Sequence, residues 1–169
     1  ENIENQINAW NDRHKDKIID ETELEMTQNS LSTLCMQDPD ARYYKSLLEI
    51  VDVEKATDRN MWWKIINMFA QTYNDKLRVL VYYFSQRCPE KYTKEAVDET
   101  WEQCQNQKFE TSIRMLERWA KEDSPEKFLQ LKKSSAFDIL QKATFEFKGI
   151  IKDAIVAKIL HTLLRTKYV

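Results

Sequence analysis

From Asp38 onward, apolar residues recur every three to four positions. Ala41, Tyr44, Leu47, Leu48 and Val51 form one stripe, Trp62, Ile65, Ile66, Phe69 and Tyr73 a second, and Leu77, Leu80, Val81 and Phe84 a third. Such spacing places side chains on one face of an α-helix. The helix starts are also written in the sequence. Asp38-Pro39 and Ser124-Pro125 each join a capping side chain to a proline at the first helical position, where the missing N–H would be unpaired anyway. Thr57-Asp58, Asp75 and Thr93 are predicted to cap three more helices. Pro89 is predicted to end one, because the residue before a proline resists the helical conformation. Beyond Thr93 the stripes continue through Val97, Thr100, Trp101 and Cys104, then Ile113, Leu116 and Ala120 beside Met115 and Trp119, then Phe128 and Leu131. A further rise in apolar density begins at Ser135, with Ile139, Leu140, Ala143 and Phe147 before Gly149, and Ala154, Ile155, Ile159 and Leu163 after it. The expectation is an all-α, multi-helix bundle of about seven or eight short helices.

Residues 1–38 read differently. Asp20-Glu21-Thr22-Glu23-Leu24-Glu25 gives way to Thr27-Gln28-Asn29-Ser30, a composition suited to an acidic linker or a short docking segment. Three parts follow: 1–38 as linker or docking segment, 39–130 as a helical domain, and 131–169 as the start of another helical region. The chain opens on Glu1 and stops at Tyr168-Val169 without a cap, so it is expected to be a piece of a longer protein.

Composition narrows the chemistry. The 169 residues include one glycine and three prolines. A phosphate-cradling loop or dinucleotide fingerprint needs several glycines, so neither can be assembled. Strand-rich folds also draw on Gly and Pro at their turns. No run reaches the length of a membrane helix, and no signal segment opens the chain. Cys35, Cys88 and Cys104 are an odd set without a Cys-x-x-Cys pair, and His14 and His161 lie far apart, so neither a metal nor a disulfide framework is expected. Cys104 is expected to pack as a small apolar residue. Carboxylate groups such as Asp98/Glu99/Glu102 and Glu122/Asp123 sit beside Lys94 and Lys121 at helix-surface ion-pair spacing. No catalytic site is predicted.

Charge is uneven along the chain. Residues 1–60 carry 14 acidic and 7 basic side chains, 61–130 carry 11 of each, and 131–169 carry 3 acidic and 8 basic. A polyanion would prefer the last third, although Lys-rich helix faces are also what water alone selects. In the middle segment, aromatic residues interleave with Lys64, Arg78, Arg87, Lys91 and Lys94, a mixture that can stack on bases and meet phosphates. Trp62, Phe84, Trp101 and Trp119 fall on the helical stripes and are predicted to be core. Trp63 and Tyr83, adjacent to inward residues, are predicted to be exposed or to anchor a partner.

The order of short motifs in this middle segment resembles a known family. Asp58-Arg59-Asn60-Met61-Trp62 opens a helix, Phe84-Ser85-Gln86-Arg87 and Lys91-Tyr92 follow, Trp101 comes nine residues after Tyr92, and Trp119-Ala120-Lys121-Glu122-Asp123-Ser124-Pro125 closes the series. This is similar to the helical primase C-terminal domain of primase-helicases from large DNA viruses and phages. Asp153–Leu160 is similar to the opening of the helical collar before a superfamily 3 helicase core. The resemblance implies a non-catalytic connector in viral DNA replication inside the host cell. Its partners would be single-stranded or forked DNA, flanking primase and helicase domains, and further copies in a hexamer. ATP and Mg would belong to the parent protein, with no cofactor in this segment and no membrane. The expected DNA contacts are Lys132, Lys133, Lys142, Lys148 and Lys152, with Arg78, Arg87 and Lys91 behind them. The competing reading is a protein-interaction or oligomerisation module, anchored by Trp63 and Tyr83, that touches no DNA.

Overall fold

The computed structural model describes residues 21–72, 74–106, 112–146 and 153–164, and within them all side chains except those of 137–146, 153–155 and 162–164. Over these residues the chain is all-α. Its helices are α1 (Glu21–Gln37), α2 (Pro39–Ile50), α3 (Glu54–Thr57), α4 (Arg59–Ala70), α5 (Arg78–Ser85), α6 (Lys94–Gln105), α7 (Ile113–Asp123), α8 (Pro125–Glu146) and α9 (Asp153–Leu164). A single 3-10 turn, Asp75–Leu77, precedes α5.

The predicted starts of α2, α4 and α6 are made by the predicted residues. Asp38 accepts from the Asp40 and Ala41 N–H groups, Asp58 from Met61 N–H at 2.8 Å, and Thr93 from Ala96 N–H at 3.3 Å. Asp75 differs. Asn74 caps the 3-10 turn through Lys76 N–H, and the Asp75 carboxylate instead accepts from Trp101 Nε1 at 3.2 Å. The helix at Pro125 begins where predicted and runs 22 residues, through Ser134-Ser135. Serine costs a helix only about half a kcal/mol, and neither Gly nor Pro interrupts this stretch.

Two compact units form. The first takes in the described parts of Glu1–Arg42 and Val53–Thr111, the second those of Tyr43–Asp52 and Ser112–Val169. In the first, Ile65, Ile66, Asn67, Met68, Phe69 and Ala70 are all buried, so the second half of α4 is enclosed on every side. Helices α3, α5 and α6 pack against it. Phe84 and Trp101 are fully buried, as their stripes predicted. Cys104 is sealed as an apolar residue, and burial pushes its thiol up to about 11.

Within the segment read as a linker or docking segment, Glu21–Gln37 is a helix. Thr27, Leu31 and Leu34 form its buried face, and it packs on α5. Each buried leucine contributes about 2 kcal/mol of apolar burial, which explains why a polar, acidic sequence holds its place. Its end is closed by Arg42, whose Nε donates to the Cys35 carbonyl at 3.2 Å. Ile7 and Trp10 lie outside the described residues.

In the second unit α8 packs against α7 and α9. Leu47, Leu48 and Val51 from the α2 end of the unit are buried, as are Leu116, Trp119 and Ala120 of α7 and Phe128 of α8. Asp123 accepts from the Asp52 N–H at 2.8 Å, fixing the chain where it leaves α2.

Candidate functional site

In the first unit, the ends of three helices and the body of a fourth, α6, surround a pocket of about 550 Å³. The end of α3 contributes Thr57, the start of α4 contributes Arg59 and Trp62, the end of α5 contributes Ser85, and the loop into α6 contributes Lys91 and Tyr92. Thr93, Glu99, Thr100 and Gln103 complete its polar lining.

Local chemistry sets each of these side chains. The Asp58 cap fixes the first turn of α4 and so places Arg59 at the pocket, exposed. One turn on, the Trp62 indole N–H donates to Ser85 Oγ at 2.8 Å, tying α4 to α5. Lys91 Nζ donates to the Thr57 carbonyl at 2.9 Å, where α3 ends. Tyr92 is buried, and its hydroxyl donates to Glu23 of α1 while accepting from Gln86 Nε2 at 3.4 Å. Gln86 also donates to Thr27 Oγ1 at 3.0 Å. Burial, then the bond to Glu23, holds the Tyr92 phenol well above the ordinary range.

The pocket therefore presents two cations, Arg59 and Lys91, beside aromatic and hydroxyl groups, with Glu99 as the acidic group in its lining. Arg59, Trp62, Ser85, Lys91 and Tyr92 all belong to the motifs quoted above. Motif residues separated along the chain thus meet at one place, whereas Trp101 and the Trp119–Pro125 tail lie elsewhere.

The residues expected to meet DNA fall into different settings. Lys91 is at the pocket. Arg78 sits 3.1 Å from Asp98 and 5.2 Å from the centre of the Trp101 ring. Arg87 is half-buried, with its guanidinium 5.7 Å from the Phe84 ring centre. Lys133 is exposed on α8. Lys132, expected on a DNA-facing surface, is instead 4% exposed and paired with Glu117 at 2.6 Å. It also lies 4.9 Å from the Tyr43 ring centre and 5.5 Å from that of Phe128. A phosphate reaching it would have to displace a buried carboxylate, so Lys132 is a core residue. The side chain of Lys142 and the residues Lys148 and Lys152 lie outside the described residues. Trp63 and Tyr83, expected to be exposed or interfacial, are both half-buried.

The sequence showed Arg59 only as part of a motif, Glu99 only within a helix-surface carboxylate group and Thr100 only as a position on an inward stripe, and Gln103 carried no signal. The available signal was the capped start of α4, which fixes Arg59 in a first helical turn next to Trp62.

These features define an all-α domain, over its described residues, whose motif side chains gather around a cation-bearing pocket. In comparison with known proteins, residues 44–120 match the family model described as Primase C terminal 2 (PriCT-2). The chain is also 26% identical over 153 residues to proteins named "Putative primase" from African swine fever virus, in the Warthog/Namibia isolate and the Badajoz strain. Those alignments cover 88% of this chain and 16% of each relative. A "Putative helicase" of Acanthamoeba polyphaga mimivirus is 26% identical over 89 residues, 53% of this chain and 9% of that protein. The chain thus spans a small part of the relatives it matches. No helix among the described residues is long and apolar enough to cross a membrane.

Proposed function

We propose that this segment is the non-catalytic helical connector of a DNA-replication primase-helicase, holding the two enzymes in register and guiding single-stranded or forked DNA between them. The observation that carries the reading is that one helical segment aligns with a protein named a primase and with another named a helicase. A stretch shared by both, and covering 16% or less of each, suits a module that serves either activity from outside its catalytic centre. In this reading the parent chain binds ATP and Mg in its flanking domains, assembles as a ring, and works at viral replication sites. Residues 131–169 begin the helicase collar.

DNA contact in this reading is electrostatic. Lys91, Arg87 and Lys133 supply it, together with the cations that follow Lys133. Counterion release then governs affinity, so binding of a labelled single strand should weaken steeply between about 50 and 200 mM salt. Fluorescence anisotropy on the 169-residue chain measures this. Binding that ignores salt, or none at all, removes the DNA part. A chain that assembles by native mass measurement yet ignores oligonucleotides belongs to the interaction-module class instead. For the connector itself, the test is the parent protein with this segment replaced by a flexible linker. Primer synthesis and unwinding should each persist while their coupling is lost.

A further inference from the structure

We infer that the pocket between α3, α4, α5 and α6 is a nucleoside-phosphate site, taking one nucleotide unit of a DNA strand. The inference rests on the nucleic-acid reading above and deepens it by naming where a strand is gripped. Lys91 Nζ is held at the Thr57 carbonyl, and Arg59 follows Thr57 by two residues, so both cations belong to the part of the lining where α3 gives way to α4. Two cations in one pocket lining, with a single carboxylate opposite in sign, favour an anion within it. Arg59 has no ion-pair partner among the described residues. A phosphodiester is the anion whose geometry a planar guanidinium and an ammonium meet well.

The remaining lining suits the other two parts of a nucleotide. Trp62 and Tyr92 give aromatic surface for a base, while Gln103 gives donors and an acceptor, and Glu99 and Thr100 Oγ1, whose own proton goes to the Ala96 carbonyl, can accept from a base edge or sugar. A volume of about 550 Å³ is in the range of small-ligand pockets and admits one nucleotide with some water. Glu99 disfavours a second phosphate, so a unit carrying one phosphate fits better than a free triphosphate. The grip is made by side chains, which is why a chain with a single glycine can provide it.

The test compares the wild-type chain with Arg59→Ala, Thr100→Phe and Lys76→Ala, each titrated with labelled oligo(dT) and with free thymidine triphosphate. Arg59→Ala removes an exposed cation, and Thr100→Phe fills the pocket at constant charge. Lys76→Ala removes an exposed cation outside the pocket. Circular dichroism and a melting curve check folding in every variant. The expected result is a loss of at least tenfold in oligo(dT) affinity for Arg59→Ala and for Thr100→Phe, and less than twofold for Lys76→Ala. Arg59→Ala should also flatten the salt dependence by about 0.7 in log–log slope. Free triphosphate should compete only weakly. Tight triphosphate binding, lost in both pocket variants and without strand binding, would overturn the strand assignment in favour of a free nucleotide. Wild-type oligo(dT) binding that survives both pocket variants overturns the pocket while leaving the nucleic-acid reading standing. No wild-type binding to either probe overturns both.

Discussion

Lys132 Nζ donates to Glu117 Oε1 at 2.6 Å, and the same oxygen accepts from the Tyr43 hydroxyl at 2.7 Å. One carboxylate oxygen therefore holds together α2, α7 and α8, the three helices that bring Leu47, Leu116 and Phe128 into the second unit. Both charged side chains are nearly sealed from water, at 5% and 3% exposure. In that setting the pair gains little over an apolar substitute, but either half alone is costly.

Lys132→Met should therefore destabilise the second unit by about 3–5 kcal/mol, since it leaves the Glu117 charge buried without its cation. Adding Glu117→Leu should recover most of that loss, and Tyr43→Phe alone should cost about 1–2 kcal/mol. Urea denaturation followed by circular dichroism measures all three. A Lys132→Met variant as stable as wild type would mean that the ammonium is not enclosed as described.

Tyr92 links α1 to the pocket, because its hydroxyl donates to Glu23 while its ring lines the cavity. Tyr92→Phe keeps the ring and removes that bond, along with the acceptor for Gln86 Nε2. The expected cost is about 1–2 kcal/mol, concentrated in the attachment of α1. Faster amide exchange and earlier protease cleavage within Glu21–Gln37, with α4 and α6 unchanged, would be the signature.

The phenols make stability fall on the alkaline side. Burial first, then the hydrogen bond to Asp98 and its negative charge, push Tyr82 up to about 12, from 10 in an unfolded chain. Tyr92 is raised for similar reasons, with Glu23 in place of Asp98. The fold thus favours the neutral phenol over its ionised form. Its contribution is complete below pH 10, where both states hold the proton, and is lost as pH rises from 10 through about 12. Phenolate absorbance should lag behind that of the denatured chain over this range. Asp98→Asn should shift the Tyr82 step toward ordinary values by removing the carboxylate's charge.

What the sequence disclosed depended on range. The caps at Asp38, Asp58 and Thr93 satisfy N–H groups two or three residues away, so a local reading of residue types was enough to find them. The core aromatic residues Phe84 and Trp101 were likewise fixed by helical spacing. Lys132 was misread because counting charge treats every lysine alike, whereas its burial depends on Glu117 fifteen positions earlier and on Tyr43 of another helix. The pocket was hidden for a related reason. Thr57, Ser85 and Lys91 meet only because α3, α4 and α5 fold together, and no spacing rule joins them. The glycine count excluded phosphate binding by backbone loops, and it carried no information about binding by side chains.

Asn74 and Asp75 offer a final separation of local from tertiary roles. Asn74 accepts from Lys76 N–H and so serves the start of the 3-10 turn alone. Asp75 accepts from Trp101 Nε1 and from Gln105 Nε2, both at 3.2 Å, and lies 3.7 Å from Arg78. Asn74→Ala should cost about 1 kcal/mol, the usual value of a lost cap. Asp75→Ala leaves the indole N–H of a fully buried tryptophan without its acceptor, which costs about 1–3 kcal/mol. Trp101 emission should shift to the red in Asp75→Ala and stay put in Asn74→Ala, with Trp101→Phe identifying the signal. If Asn74→Ala moves the emission as far as Asp75→Ala does, the carboxylate is not what seats Trp101.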